Sequence, residues 1–443
     1  MSFLDRIFGA KEETIAQPDI RFGRYSDSYK VGANYDAWDA ALEKFEEAQY
    51  LDSYRAFFNY LRDEEEDNVH WWEENGGIRF EIFQGSKKIS GFADDKNFRA
   101  KASIAKTDQL NVGFLRRLLE KNFSMNFGRF ALGDENELLV VFDSYTLDGS
   151  PYKLYFALKE MAIQADKFDD LLLDEFDMLQ PMEVSHLIEI PEPVKEVKYN
   201  FIVSEINKVL LEIKEGALDA DKYPGGIGYL LLNLVYKLDY LVKPEGFMME
   251  ALERMNRLYF AIDDKSIAEK NRLLSRELEK LLDRKKKAFF KEMYRVKATF
   301  GITPSVTHDR VVSFIDGELK HMDWYCENKY MEVAMAIPGF IVGYCLFNFA
   351  APRPDRDFLH LYYQITEREY FKNLGFTLKF TEEETGNLNK KAIKKAIEKI
   401  VDKNEGVFPK LSPSLSALNY DSMTEFARSY LMMVRNLDMT KVD

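Results

Sequence analysis

The sequence predicts an α+β protein: an antiparallel five-stranded sheet with helices, in the order helix, three strands, helix, two strands, helix, followed by a mainly α-helical domain. Three observations carry that expectation. Between residues 77 and 179 short runs alternate apolar and polar side chains, the period-two signature of strands. The first turns span only a few residues and so join antiparallel neighbours, because a parallel pair needs a crossover of roughly a dozen. Beyond residue 196 the apolar period becomes that of helices.

Residues 35–62 predict two helices, with Trp38, Leu42, Phe45, Ala48, Tyr50, Tyr54, Phe57, Phe58 and Leu61 at helical spacing. The pair is similar to one tetratricopeptide hairpin; a solenoid needs about three stacked repeats, so these helices are assigned to the first domain. Ile78, Phe80 and Ile82 then alternate with Arg79 and Glu81. Ile89, Gly91 and Ala93 follow the turn at 84–86, and Phe98, Ala100, Ala102 and Ile104 follow the turn at 94–97. One face of this meander is apolar and the other wet. Asp108 is placed to cap a helix with Leu110, Phe114, Leu115, Leu118 and Leu119 on one stripe, and Asn122 to stop it. Strands at 125–132 and 137–145 flank a hairpin turn at 133–136. Ser150 with Pro151 opens a closing helix that runs to the acidic residues 169–177.

This order, with LNVGFLRRLL at 110–119, FGRFAL at 127–132 and LLVVF at 138–142, resembles the type III secretion chaperone-like fold, including the bacterial YbjN-type family. The resemblance covers residues 35–180. It implies a non-enzymatic module that binds a polypeptide or pairs with itself through the sheet or a helix, and it carries over no catalytic residue.

The expected domains are an N-terminal tail at 1–33, the α+β domain at 34–186, a linker at 187–196 and the helical domain at 197–443. The tail opens with Phe3, Leu4, Ile7 and Phe8 on one side. Pro191 and Pro193 favour an extended connector. Helices are expected at 199–214, 226–241, 247–262, 266–299, 308–325, 355–373, 390–403 and 422–436, with a further apolar one between the last four and one strand at 376–380. Ser422 with Glu425 fits a capping box, and Gly375 a carboxy-terminal stop.

Chemical motifs are sparse. The histidines His70, His186, His308, His321 and His360 include no pair at the four-residue spacing of a zinc protease. His321, Asp323, Cys326 and Glu327 are the densest group of metal-ligand types, yet His321 and Asp323 diverge on a helix. Cys326 or Cys345 with His360 would be needed for a thiol nucleophile, and nothing beside either cysteine signals an activating base. The turn 223–228 is glycine-rich but lacks the lysine and hydroxyl of a phosphate loop. Asp219 and Asp221 lack the remaining ligands of a calcium loop. Carboxylate clusters such as Asp169 with Asp170, and 63–67, read as solvated faces. No catalytic residue, cofactor or metal ligand is therefore expected.

Two stretches suggest interaction. Residues 333–352 are uncharged and nearly long enough to span a membrane, but Pro338 and Gly339 break them, which favours a core segment. Residues 390–403 form a basic amphipathic pattern, with Ile393, Ala396, Ile397, Ile400 and Val401 on one face and Lys390, Lys391, Lys394, Lys395 and Lys399 on the rest. The formal net charge of −14 argues against a nucleic-acid partner, since phosphate neutralisation needs clustered basic side chains. Two cysteines and an early charged N-terminus argue for a reducing cytoplasm without a secretory signal.

The sequence thus points to a cytoplasmic protein-binding or assembly module, chaperone-like, with a polypeptide partner or a second copy of itself as a homodimer. The candidate interaction surface is Phe80, Ile82, Phe114, Phe127 and Phe130, with Lys390 and Lys394. The alternatives are a small-molecule hydrolase or transferase with an interdomain cleft and a peripheral membrane adaptor using the basic helix.

Overall fold

The sheet begins one strand earlier than the alternation predicts. In the computed structural model, which describes residues 17–175, 178–182, 186–382 and 385–441, β1 (Val69–Glu74) pairs with β2 (Gly77–Gln84) through a turn at Asn75 and Gly76. Both turn residues have positive φ, 52° and 76°, which is the geometry that asparagine and glycine adopt in two-residue hairpins. β3 (Lys87–Ala93), β4 (Asn97–Thr107), β5 (Arg129–Leu132) and β6 (Glu137–Tyr145) complete the order β1-β2-β3-β4-β6-β5. A seventh strand, β7 (Leu179–Pro181), pairs with the far end of β4. All pairings are antiparallel. The expected five strands therefore form within a seven-stranded sheet, and the strand expected at 125–132 begins only at Arg129.

Period two holds along the meander. Ile78, Phe80, Ile82, Ile89, Ala93, Phe98, Ala100, Ala102 and Ile104 face one core, with Leu138, Val140 and Phe142 of β6. Against that face pack α2 (Tyr50–Leu61) and α4 (Pro151–Glu175), with α1 (Gly32–Glu46) beside α2. Phe80 lies between Phe58 and Phe98, at 4.7 and 5.1 Å between ring centroids. Gly91 leaves room for that ring, since a Cβ there would stand 2.2 Å from Phe80 Cζ. α3 (Val112–Asn122) is capped not by Asp108 but by Asn111, whose carboxamide accepts from the N–H groups of Gly113 and Phe114.

The second half contains α5 (Glu192–Glu215), α6 (Pro224–Val242), α7 (Gly246–Phe260), α8 (Ile267–Asp283), α9 (Lys286–Lys291), α10 (His308–Leu319), α11 (Met322–Glu327), α12 (Met331–Asn348), α13 (Arg353–Thr366), α14 (Arg368–Asn373), α15 (Lys390–Asn404) and α16 (Met423–Arg435). At its centre α6 and α12 lie close together. A Cβ on Gly339 would stand 2.3 Å from Asn233 Oδ1, and one on Gly343 2.6 Å from Tyr236 Cβ, so only glycine at these positions permits the approach. α12 is the apolar stretch read as a core segment. It is the one described helix long and apolar enough to cross a membrane, and 67% of that window is buried in the protein.

Four expected elements of this half differ. The helix at 266–299 ends at Asp283, because Arg284 and Lys285 have extended backbone; the short α9 and the strand β9 (Tyr294–Arg295) follow. The helices at 308–325 and 355–373 each split into two, the second at Glu367, whose carboxylate is drawn to Lys237. No strand forms at 376–380; Phe380 packs into the helical core, and Phe376 lies 5.9 Å from Phe22.

The two halves have separate apolar cores but are stitched together by two segments. The part of the expected linker at Ile188–Glu189 pairs as β8 with β9, and α5 begins at Glu192. Residues 297–301 then dock on the sheet domain: Thr299 Oγ1 donates to the Phe83 carbonyl at 2.8 Å, Gln84 Oε1 accepts from the N–H groups of Thr299 and Phe300, and Phe300 joins the first core. The described part of the expected tail is a strap. Gly23 N–H donates to the Tyr240 carbonyl, Arg24 pairs with Asp239 and Glu253, Tyr155 donates to Asp27, and Lys30 donates to the Tyr60 carbonyl. Phe3, Leu4, Ile7 and Phe8 lie outside the described residues.

Candidate functional site

Among the described residues of the first half, the most exposed apolar face lies on α3. This helix turns Phe114 and Leu118 into the core, while Val112, Leu119 and Phe123 at its other side are 82%, 68% and 96% exposed. At 100° per residue these three fall within about 40° of one another, so they form one stripe. Arg116 and Glu120 flank it and pair at 3.0 Å.

Side chains of the same domain secure the backbone beside that stripe. Asn122 substitutes for a neighbouring strand at the outer edge of β5: its Nδ2 donates to the Phe130 carbonyl at 3.1 Å, and its Oδ1 accepts from the Phe130 N–H at 2.6 Å. Glu160 of α4 accepts from the N–H groups of Asn126, Phe127 and Gly128 at 2.7, 2.8 and 2.9 Å. The approach to β5 is therefore held by charge-assisted bonds, and the edge itself is occupied at Phe130.

Four members of the candidate surface read from sequence are core residues. Phe80, Ile82, Phe114 and Phe130 are buried, because the apolar face of the sheet is already covered by α2 and α4 and that of α3 by the sheet. Phe127 is 38% exposed in the loop that Glu160 holds. Lys390 is exposed and Lys394 half-buried on α15, whose Ile393 and Ile397 are buried in the helical half. The structure thus retains Phe127 near the α3 face, leaves the two lysines on the other half, and adds Val112, Leu119 and Phe123. The signal for these was the i, i+7, i+11 spacing, which sets them apart from Phe114 and Leu118.

A cleft of about 790 Å³ lies in the helical half and is lined by Asn200, Ser204, Glu205, Glu367, Arg368 and Tyr370, among others. Its carboxylates are committed. Lys237 reaches Glu205 at 3.0 Å and Glu367 at 2.7 Å; burial alone would lower its pKa, but the two carboxylates outweigh that and raise it, so the lysine stays protonated. His308 Nδ1 and Asp355 Oδ1 are 2.8 Å apart and both residues are buried. Cys345 is buried too, and burial followed by the Asp355 charge pushes its thiol up, the reverse of what a nucleophile requires. His360 lies against Tyr240, with Nδ1 3.0 Å from the hydroxyl, and burial drives it down to about 4.

The remaining motifs have structural partners. His321 Nδ1 meets the Tyr229 hydroxyl at 2.8 Å. Asp219 accepts from the N–H groups of Asp221 and Lys222, the local turn that its short side chain favours, and the glycine-rich 223–228 opens α6. Among the described residues, no group of three or more His, Cys, Asp or Glu side chains is placed to hold a metal ion. The side chains of Asp169 and Asp170 lie outside the description.

Fold and site together define an α+β sheet domain presenting one apolar helix face, strapped to a helical domain. No protein-family model matches the chain, and no curated protein shows significant similarity to its sequence.

Proposed function

We propose that this chain is a non-enzymatic protein-binding module, chaperone-like in the sense that it holds a polypeptide on the α3 face. The observation that carries the proposal is the stripe of Val112, Leu119 and Phe123, three large apolar side chains exposed on one side of a well-capped helix. Contiguous exposed apolar surface of this kind marks association sites. The adjacent β5 edge is occupied by Asn122 at Phe130, which favours docking by side chains over strand addition. A second copy of the chain suits the face, because two α3 helices set antiparallel would place each Arg116 beside the other's Glu120. The unpaired state of Cys326 and Cys345 supports a reducing compartment, and the cytoplasm is the proposed location.

Sedimentation across micromolar concentrations tests the reading with the wild type, L119D and F123D. A dimer that either substitution converts to monomer, at unchanged circular dichroism, supports self-pairing. If the wild type is monomeric, a labelled leucine-rich amphipathic peptide takes the place of the second copy. Peptide binding lost in F123D supports capture of another polypeptide, while a monomer that binds no peptide overturns the function.

A further inference from the structure

A second site lies where the N-terminal strap crosses the helical half. Phe22, Gly23, Arg24, Tyr29, Tyr240, Leu346, Arg356, Asp357 and His360 enclose a cavity of about 250 Å³. Its aromatic wall comes from both segments: Phe22 stands 5.3 Å from the His360 ring and 6.4 Å from Tyr240, between centroids. A second cavity of about 270 Å³ shares Asp357 and His360 and is lined by Lys399 and Lys403 of α15.

The charges of this cavity do not balance. Arg24 is satisfied, with Nε at 3.0 and 3.1 Å from the Asp239 carboxylate and Nη1 at 2.6 Å from Glu253. Asp357 is occupied by Lys403 at 3.2 Å and by Asn404 at 3.2 Å. Asp355, one residue before Arg356, is held by His308. Arg356 itself stacks on Tyr29, its Cζ 3.4 Å from the ring centroid, and among the described residues its guanidinium has neither an ion pair nor a hydrogen bond; its Nε is buried without a partner. A stacked guanidinium keeps its planar fork of donors free, and that fork matches an oxyanion. Lys399, at the adjoining cavity, also has no ion pair among the described residues. Among the described residues, every carboxylate named around Arg356 already has a cation or an imidazole, which leaves the guanidinium fork open to an acceptor from solution.

We infer that this cavity is a binding site for a small organic oxyanion, its carboxylate on Arg356 and its remainder beside the Phe22 and Tyr240 rings. A volume of about 250 Å³ suits a ligand below drug size. The site is independent of the α3 face and of the function proposed for it. Because its walls come from the strap and from α13, occupancy would also tighten the strap on the helical half, by mass action on the bound form.

Titration calorimetry of the full chain with benzoate tests the site, with benzamide as the neutral shape-matched control. The expected result is saturable benzoate binding, none for benzamide, and about tenfold or greater weakening in R356Q, the loss that follows from removing a charged hydrogen-bond donor. K391Q, on the exposed side of α15, should bind as the wild type does. If R356Q fails to fold, R356K replaces it, retaining the charge but not the fork; weakened benzoate binding in that variant supports the site. No benzoate binding, equal binding of benzamide, or binding unchanged in the folded arginine variant overturns it.

Discussion

The two halves of this molecule differ in how most of their polar side chains are satisfied, though each also buries a lysine on a backbone carbonyl, Lys87 on Ile104 and Lys198 on Val242. In the α+β half, polar side chains finish hydrogen-bond ladders at their margins: Asn122 on Phe130, Glu160 on the loop before β5, and Gln84 on Thr299 and Phe300. In the helical half, charges are paired in the interior. Lys237 and Asp239 sit on α6, a helix apolar nearly all round and enclosed on every side, so each needs a counter-charge brought to it by another element. A sheet leaves its unsatisfied groups at edges, which water or one amide can reach. A central helix that carries charge has no such margin, and its partners must come from elsewhere in the chain.

Unpairing a buried charge tests that contrast with the largest effect. R24M leaves Asp239 and Glu253 without their guanidinium and should cost about 3–5 kcal/mol in urea unfolding. R24M combined with D239L should recover part of the loss, since no isolated carboxylate then remains at Asp239. R116A, which breaks the exposed Arg116–Glu120 pair of the other half, should cost only about 0–1 kcal/mol. Equal losses for R24M and R116A would dissolve the distinction between the halves.

The second test uses pH. Burial lowers His360 to about 4 against an ordinary 6.5, with Asp357 offsetting part of the shift. Above pH 6.5 this costs nothing; as pH falls from 6.5 towards 4 the unfolded chain takes up a proton that the folded chain refuses, and stability drops by up to about 3 kcal/mol. Glu245 works in the opposite sense, since burial raises it to about 8 and the folded chain holds its proton through the same range. The difference between wild type and H360Q isolates the histidine: it should shift in favour of the variant by up to about 3 kcal/mol between pH 7 and pH 4. H70Q, on an exposed histidine of the sheet half, serves as the comparison. A pH-independent difference for H360Q would show that the imidazole is not held in an apolar site.

The same contrast explains what could be read from the sequence. Strands β2, β3, β4 and β6 were legible because one face is covered and the other wet, so burial printed an alternation. β1 was not, since as an edge strand it buries only Val69 and leaves Trp72 and Glu73 outside; the Asn75-Gly76 turn was its only mark. Helix spacing located the helical half, while its breaks at Arg284, where the backbone is extended, and at Glu367 leave no mark in local periodicity. Phe80, Ile82, Phe114 and Phe130 read as surface because an apolar face alone does not say what covers it. Phe123 escaped notice because it lies at the end of α3, one turn beyond the stripe assigned to it. Arg356 carries no sequence mark at all, for its significance lies in the partners that Asp355, Asp357 and Arg24 take elsewhere.

The smallest expected effect on stability sharpens the sheet side of the comparison. N122A removes both side-chain bonds to Phe130 at a cost of about 1–2 kcal/mol, limited because water can reach an edge strand. Its larger consequence should be association. With the N–H and C=O of Phe130 freed beside exposed Val112, Leu119 and Phe123, β5 becomes a template for another strand, and light scattering on warming should rise at lower temperature than in the wild type. N122D keeps an acceptor for the Phe130 N–H but loses the donor to its carbonyl, so it should fall between the two. If N122A loses stability without gaining association, Asn122 is only a packing bond, and edge protection is not what the α+β half gains from its marginal polar groups.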